Sequence, residues 1–389
     1  MDIDQLRRDT PGCAHRTHLN NAGAGLLSRQ TVAAMAEHLR LESEIGGYEA
    51  AAAAGEQIEA TYRWLAELVG GRAEQVALFD NSTHAWNAAF YSVPLGPGDR
   101  IVTGRDEYGS SVLAYLQAAR RTGAELVVIG NDDSGQLDLA ALAEVVDERT
   151  KLIGLTWVPT AGGLVNPAAE VGQIARAAGA LYLLDATQVA GQLPIEVDQI
   201  GCDLLTGTGR KFLRGPRGTG FLWVGEAALD RLDPFVTEIG AATWDGRRGF
   251  DWQPAAGRFE TWEHSYLNVI GLGVAVRQAL DLGLDAIGQR CQQLGQRLRD
   301  QLDQLPGVRC HDQGPDRCAI VTVGVAGHQP DEVLAALAAA GINASLTVAD
   351  HTPFDTEDRG VHPLVRLSPH YYNTEAELDR AVEVIAGLR

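Results

Sequence analysis

The sequence predicts an α/β protein, with a large domain on a mostly parallel seven-stranded sheet and a smaller α+β C-terminal domain. Three observations predict this fold. From about residue 75 to 225, short apolar and β-branched runs alternate with stretches of helical period. Those runs are apolar on both faces, as strands are when helices cover a parallel sheet from both sides. After about residue 265 the pattern changes to long amphipathic helices with short strands between them.

In chain order, two helices come first, from Arg29 to about Glu44 and from Glu56 to Val69. Ile45-Gly-Gly-Tyr48 parts them, because a glycine pair breaks a helix. The seven strands are Gln75–Phe79, Arg100–Thr103, Glu125–Ile129, Leu152–Thr156, Leu181–Leu184, Leu204–Leu205 and Thr219–Val224. Helices over 268–282 and 286–304 follow, then strands near 318–323, 342–346 and 364–368 and a helix near 331–340. The last helix opens on Thr374-Glu-Ala-Glu377, which has capping-box spacing, and Leu378, Ala381, Val382 and Ile385 form its apolar face. The expected division is residues 1–45 as a segment serving the small domain and the site entrance, 46–265 as the large domain, and 266–389 as the small one.

Composition excludes several classes. Lys and Arg total 32 against 51 Asp and Glu, a net charge of −19, which disfavours nucleic acid and anionic membranes as partners. The five cysteines, Cys13, Cys202, Cys291, Cys310 and Cys318, are odd in number and contain no C-x-x-C, so neither a disulfide framework nor a metal site is indicated. No apolar run reaches the ~18 residues of a membrane span, and the expected location is the cytoplasm.

In open parallel sheets, ligands bind beyond the carboxyl ends of the strands. There Asp185 ends an almost wholly apolar strand, and Lys211 stands in the Gly-rich loop Thr206-Gly-Thr-Gly-Arg-Lys-Phe-Leu-Arg-Gly215 after the next strand. A P-loop is absent, since Phe212 follows Lys211 where Ser or Thr is required. Asn20-Asn-Ala-Gly-Ala-Gly25 has Ser28 where a dinucleotide fingerprint needs its third glycine. An Asp, a Lys, hydroxyls and glycines at strand ends suit pyridoxal phosphate. The lysine forms a Schiff base, the carboxylate keeps the pyridine nitrogen protonated, and backbone amides reach the phosphate. Ser82 and Thr83, opening a helix after the first strand, could bind that anion; Ser82 could equally be a simple N-cap.

The motifs Leu19-Asn-Asn-Ala-Gly23, Asn81-Ser-Thr-His84, Glu107-Tyr108, Asp185-Ala-Thr-Gln188, Thr208-Gly-Arg-Lys211, Gly215-Pro-Arg-Gly218 and Arg366-Leu-Ser-Pro-His-Tyr-Tyr-Asn-Thr374 stand in order along the chain. Together they resemble the class V aminotransferases, the cysteine desulfurase-like branch of the pyridoxal phosphate-dependent transferases of fold type I. The resemblance implies Lys211 as Schiff-base lysine and general base, Asp185 as partner of the pyridinium, and Gln188 and Thr160 near the phenolic oxygen. It implies Tyr108 stacked on the ring, and Ser82, Thr83, Thr208 and Arg210 around the phosphate. Arg366 would clamp the substrate carboxylate, with Asn21 and the backbone of Ala22 and Gly23 closing the pocket. Desulfurases place histidines where this chain has Tyr108 and Arg210. A homodimer is implied too, with the site at the subunit interface and Arg258–Ser265 near the crossing point.

The resemblance leaves the reaction on the amino-acid substrate open. A desulfurase needs a nucleophilic cysteine on a small-domain loop, and Ile342–Pro369 has none. Leu41–Ala51, Glu107-Tyr-Gly109 and Arg210-Lys211 resemble hercynylcysteine sulfoxide lyases, and isopenicillin N epimerase-like proteins share the plan. Ala161-Gly162 stands where the lyase carries a His-Arg pair. The expected activity is C–S β-lysis of a cysteine derivative or its sulfoxide to pyruvate and ammonia. Transamination or epimerisation is the alternative, and an epimerase would draw its second proton donor from Tyr108, His84 or His264.

Overall fold

A computed structural model describes residues 1–361 and 363–388. After a short helix, Ile3–Arg8, come helices α1 (Arg29–Ile45), α2 (Gly47–Ala53) and α3 (Gly55–Val69). The break expected over residues 45–48 is narrower than the sequence suggests. Gly46 alone turns the chain, at φ 101°, a conformation open to glycine, and the alanine-rich segment after it winds into α2.

The large sheet is built from β1 (Val76–Phe79), then, after α4 (Ser82–Phe90), β2 (Arg100–Gly104), and, after α5 (Gly109–Thr122), β3 (Glu125–Ile129). It continues with β4 (Thr150–Thr156), α6 (Ala168–Ala178), β5 (Leu181–Asp185), β6 (Leu204–Thr208) and β7 (Gly220–Val224). The strand order is β1-β7-β6-β5-β4-β2-β3, with β7 antiparallel to both neighbours and every other pairing parallel. Strand residues alternate between two cores. Leu181 and Leu183 pack with Trp86, Phe90 and Tyr115 on one face, while Tyr182 and Leu184 join Leu65, Phe221 and Leu272 on the other. This two-sided burial is why the strands read as unbroken apolar runs.

Helices α7 (Tyr266–Leu282) and α8 (Leu284–Asp303) lead to a four-stranded antiparallel sheet. Its strands are β8 (Val308–Cys310), β9 (Val321–Val325), β10 (Ser345–Leu346) and β11 (Val365–Leu367), in the order β8-β9-β11-β10. Between β9 and β10 lies α9 (Pro330–Ala339), and α10 (Glu375–Ala386) closes the chain. The Thr374 hydroxyl and Glu377 carboxylate cap α10 reciprocally. Leu19 packs into this smaller core, Thr17–His18 pairs with Ile342–Asn343, and Asn20 bridges to Ser368. The N-terminal segment therefore lies against the small sheet. Strand β8 has no counterpart in the predicted elements; it is three residues long, with Arg309 exposed at its centre. No single helix among the described residues is long and apolar enough to cross a membrane.

Candidate active site

The carboxyl ends of β1, β2, β4, β5 and β6 converge on one cavity. It is lined by Ser82, Thr83 and Trp86 from α4, by Tyr108, Ser110 and Ser111 at the start of α5, by Thr156, Val158 and Thr160 after β4, by Asp185, Thr187 and Gln188 after β5, and by Arg210 and Lys211 after β6. Eight of the eleven residues proposed from sequence thus meet in one place.

The other three are placed differently. The Thr208 hydroxyl donates to the Thr219 carbonyl at 3.1 Å, and Thr208 is not among the lining residues. The Asn21 side chain is wholly buried, donating to the Ser368 carbonyl at 2.8 Å and accepting from the Tyr372 hydroxyl at 2.6 Å. It ties the N-terminal segment to the C-terminal motif, and the neighbouring backbone reaches the site. The Ala22 carbonyl accepts from Gln188 Nε2 at 3.2 Å, and the Gly23 carbonyl accepts from the Arg210 guanidinium. Arg366 stands behind the lining, donating to the Thr160 carbonyl and hydroxyl and, through Nε, to Ser345 Oγ at 3.1 Å.

Two details of α4 and the histidines also differ from expectation. The N-cap of α4 is Asn81, whose side chain accepts from the His84 amide at 2.9 Å, so Ser82 is the first helical residue and its hydroxyl is not used as a cap. His84 and His264 line a separate, larger cavity of about 530 Å³ with Phe79, Tyr91 and Phe235. Neither histidine lines the cavity of Lys211, which leaves Tyr108 as the only one of the three named donors there.

Burial, together with the positive charges of Arg210 and Arg366, pushes Lys211 well below its ordinary value, against the opposing pull of Asp185. Lowering of this kind eases loss of the ammonium proton, which suits a nucleophile and a base. Burial raises Asp185, although the Thr187 amide donates to its Oδ1 at 2.8 Å and Lys211 lies near. Glu107, which the sequence reading gave no role, is buried beneath Tyr108. It accepts from the Tyr108 amide at 2.9 Å, from Thr103 Oγ1 at 2.8 Å and from the Thr156 hydroxyl, fixing the turn that aims the tyrosine ring. Arg214, three residues beyond Lys211, adopts φ 59° and is buried. It donates to Leu26 O, Tyr371 Oη and Thr10 Oγ1 at 2.7, 2.5 and 2.6 Å, pinning the lysine loop to both termini.

A family model, aminotransferase class V, matches residues 17–381. The chain belongs to the class V aminotransferase family. The cofactor of this family member is pyridoxal phosphate, and the cavity suits it. One space offers a lysine held well below its ordinary value, a carboxylate, an aromatic face and a helix N-terminus. Thr187 Oγ1 and Gln188 Oε1 are buried there without a hydrogen-bond partner, which is costly unless a ligand supplies one.

Other class V proteins share the whole architecture. A cysteine desulfurase of Haloferax volcanii is 26% identical over 420 residues, covering 100% of this chain and 97% of that protein. The structure of a cysteine desulfurase from Thermococcus onnurineus superposes with a TM-score of 0.92 at 26% identity, covering 99% of this chain and 97% of the other. The cystine C–S lyase C-DES, in complex with cysteine persulfide, gives a TM-score of 0.87 at 22% identity, covering 97% and 99%.

Proposed function

We propose that this enzyme is a C–S β-lyase that cleaves a cysteine derivative or its sulfoxide to pyruvate and ammonia. The observation that carries the reading is the placement of the thiols. None of the five cysteines lines the Lys211 cavity. Cys202, Cys291 and Cys318 are buried, and burial pushes all three thiols up, Cys318 to about 11. Sulfur transfer to an enzyme thiol therefore lacks its nucleophile, whereas elimination needs only a base and a leaving group at Cβ. The similarity to proteins named for cysteine desulfuration and cystine C–S lysis favours a sulfur-bearing substrate of cysteine type. The sequence likeness to hercynylcysteine sulfoxide lyases points the same way, while Ala161-Gly162 in place of their His-Arg pair argues against the same imidazole-bearing substrate.

When bound, pyridoxal phosphate supplies an electron sink for the Cα carbanion. In this reading Lys211 holds the cofactor, then removes the Cα proton. Asp185 would pair with the ring nitrogen, Tyr108 would cover the ring face, and Gln188 and Thr160 would address the phenolic oxygen. The Thr160 hydroxyl accepts from both Gln188 Nε2 at 3.1 Å and Arg366 at 2.7 Å, which leaves its own proton to donate. Ser82, Thr83 and Arg210 would hold the phosphate at the N-terminus of α4. Arg366 receives the substrate carboxylate, its guanidinium pulled down to about 10 by burial and Arg210 yet charged at neutral pH.

The reading also includes a homodimer located in the cytoplasm. Exposed Phe235, Val236, Ile239, Trp244 and Trp262 support the dimer, because a lone chain would leave this apolar surface wet. Sedimentation should give twice the chain mass.

The test uses purified enzyme. An absorbance near ~420 nm, as expected of a lysine-bound cofactor, should shift on adding amino acid and vanish in Lys211→Ala. Pyruvate should then form from S-substituted cysteines with no keto acid present. Strict dependence on a keto-acid acceptor would make the enzyme an aminotransferase instead.

A further inference from the structure

We propose that His351 is the general acid that protonates the departing sulfur, an assignment that rests on the β-lyase reading. His351 ends a short 3-10 turn, Ala349–His351, between β10 and the helix Pro353–Arg359. Its ring centroid lies 6.0 Å from that of Tyr108, at a tilt of 48°. The turn is held there by a close approach, for a Cβ on Gly109, the residue after Tyr108, would collide with the Asp350 carbonyl. The same segment that lacks a cysteine therefore sets an imidazole against Tyr108, whose ring lines the cavity.

His351 is exposed on its solvent side, and it is held below its ordinary value by partial burial and by the positive charges of Arg366 and Lys211, which its own neighbour Asp350 offsets only in part. Arg366 and Lys211 are the groups that the β-lyase reading assigns to the substrate's carboxylate and Cα proton. The Tyr108 ring packs against it. A thiolate is a poor leaving group unless it gains a proton as it departs. Lys211 takes the Cα proton, the Cα–H electron pair becomes the Cα–Cβ double bond, and the Cβ–S pair leaves on sulfur. The His351 imidazolium gives its proton to that sulfur, releasing a thiol, and the neutral ring is reprotonated from water at its exposed edge.

Two measurements test the assignment. Pyruvate formation is compared in wild type and His351→Gln on S-ethylcysteine, whose thiolate needs protonation, and on β-chloroalanine, whose chloride does not. The variant should lose at least about tenfold in kcat on the first and less than about twofold on the second, a loss of transition-state stabilisation specific to one leaving group. Equal loss on both substrates, or none on either, overturns the role of His351 while leaving the lyase reading intact. A wild type that forms no pyruvate from either substrate overturns both. Independently of turnover, the His351 imidazole resonance of the holoenzyme, assigned by its loss in His351→Gln, should titrate below the ordinary histidine value and move upward in Arg366→Gln. A resonance that titrates ordinarily and ignores Arg366 would place His351 away from the site.

Discussion

Arg366, from the small sheet, donates to both the carbonyl and the hydroxyl of Thr160, at 2.9 and 2.7 Å. Thr160 belongs to the loop after β4, so one guanidinium joins the antiparallel sheet to the cavity built by the parallel one. Nη1 makes both bonds to a neutral residue, so the guanidinium charge remains available to a carboxylate.

Arg366→Gln is expected to raise KM for the amino-acid substrate about tenfold to a hundredfold, the worth of a charged hydrogen bond. The cofactor absorbance should be unchanged. Steady-state kinetics beside a spectrum check both.

Asp185 makes a prediction about stability. Its folded pKa is raised by burial above the unfolded value, so its contribution to folding is present at low pH and lost as pH rises through the folded value. At neutral pH, Asp185→Asn should therefore raise the melting temperature of the cofactor-free protein. It should gain less than wild type from added pyridoxal phosphate, and kcat should collapse. Thermal unfolding with and without cofactor decides the matter, and a lower cofactor-free melting temperature in the variant would count against it.

Arg299 and Asp312 form an ion pair at 2.7 Å with side-chain exposures of 2% and 0%. Asp312 also accepts from the Gly163 amide at 3.2 Å, next to the Thr160 loop. Arg299→Met would leave a buried carboxylate uncompensated, at a cost of about 3–5 kcal/mol. Urea unfolding should show the loss.

Gly109→Ala forces the Asp350 carbonyl away from α5. Overpacking of this kind costs about 1–3 kcal/mol, measurable by the same unfolding method. Turnover of thiol-releasing substrates should fall while the cofactor spectrum stays, because the displaced turn carries His351.

Much of the architecture was readable before any coordinates. The seven strands stood out because both of their faces are buried, which leaves runs such as Leu181–Leu184 without a polar interruption. Asp185 and Lys211 were conspicuous for the same reason, as ionisable groups where the apolar strands end. Elements with little burial of their own were harder to see. Helix α2 is seven residues of mostly alanine and glycine, and β8 buries only one side chain fully. Both take their form from neighbours.

The sequence alone determined the strand pattern, the class of cofactor chemistry and the set of strand-end residues, because period, burial and residue type are local properties. Tertiary structure decided which of those residues face the same space. Thr208 spends its hydroxyl on Thr219, and Asn21 spends its side chain on Ser368 and Tyr372. His84 and His264 open on another cavity. His351 meets Tyr108 only because the turn that carries it docks on Gly109. Such encounters join segments far apart in the chain, and they depend on how the two sheets pack, which no local pattern records.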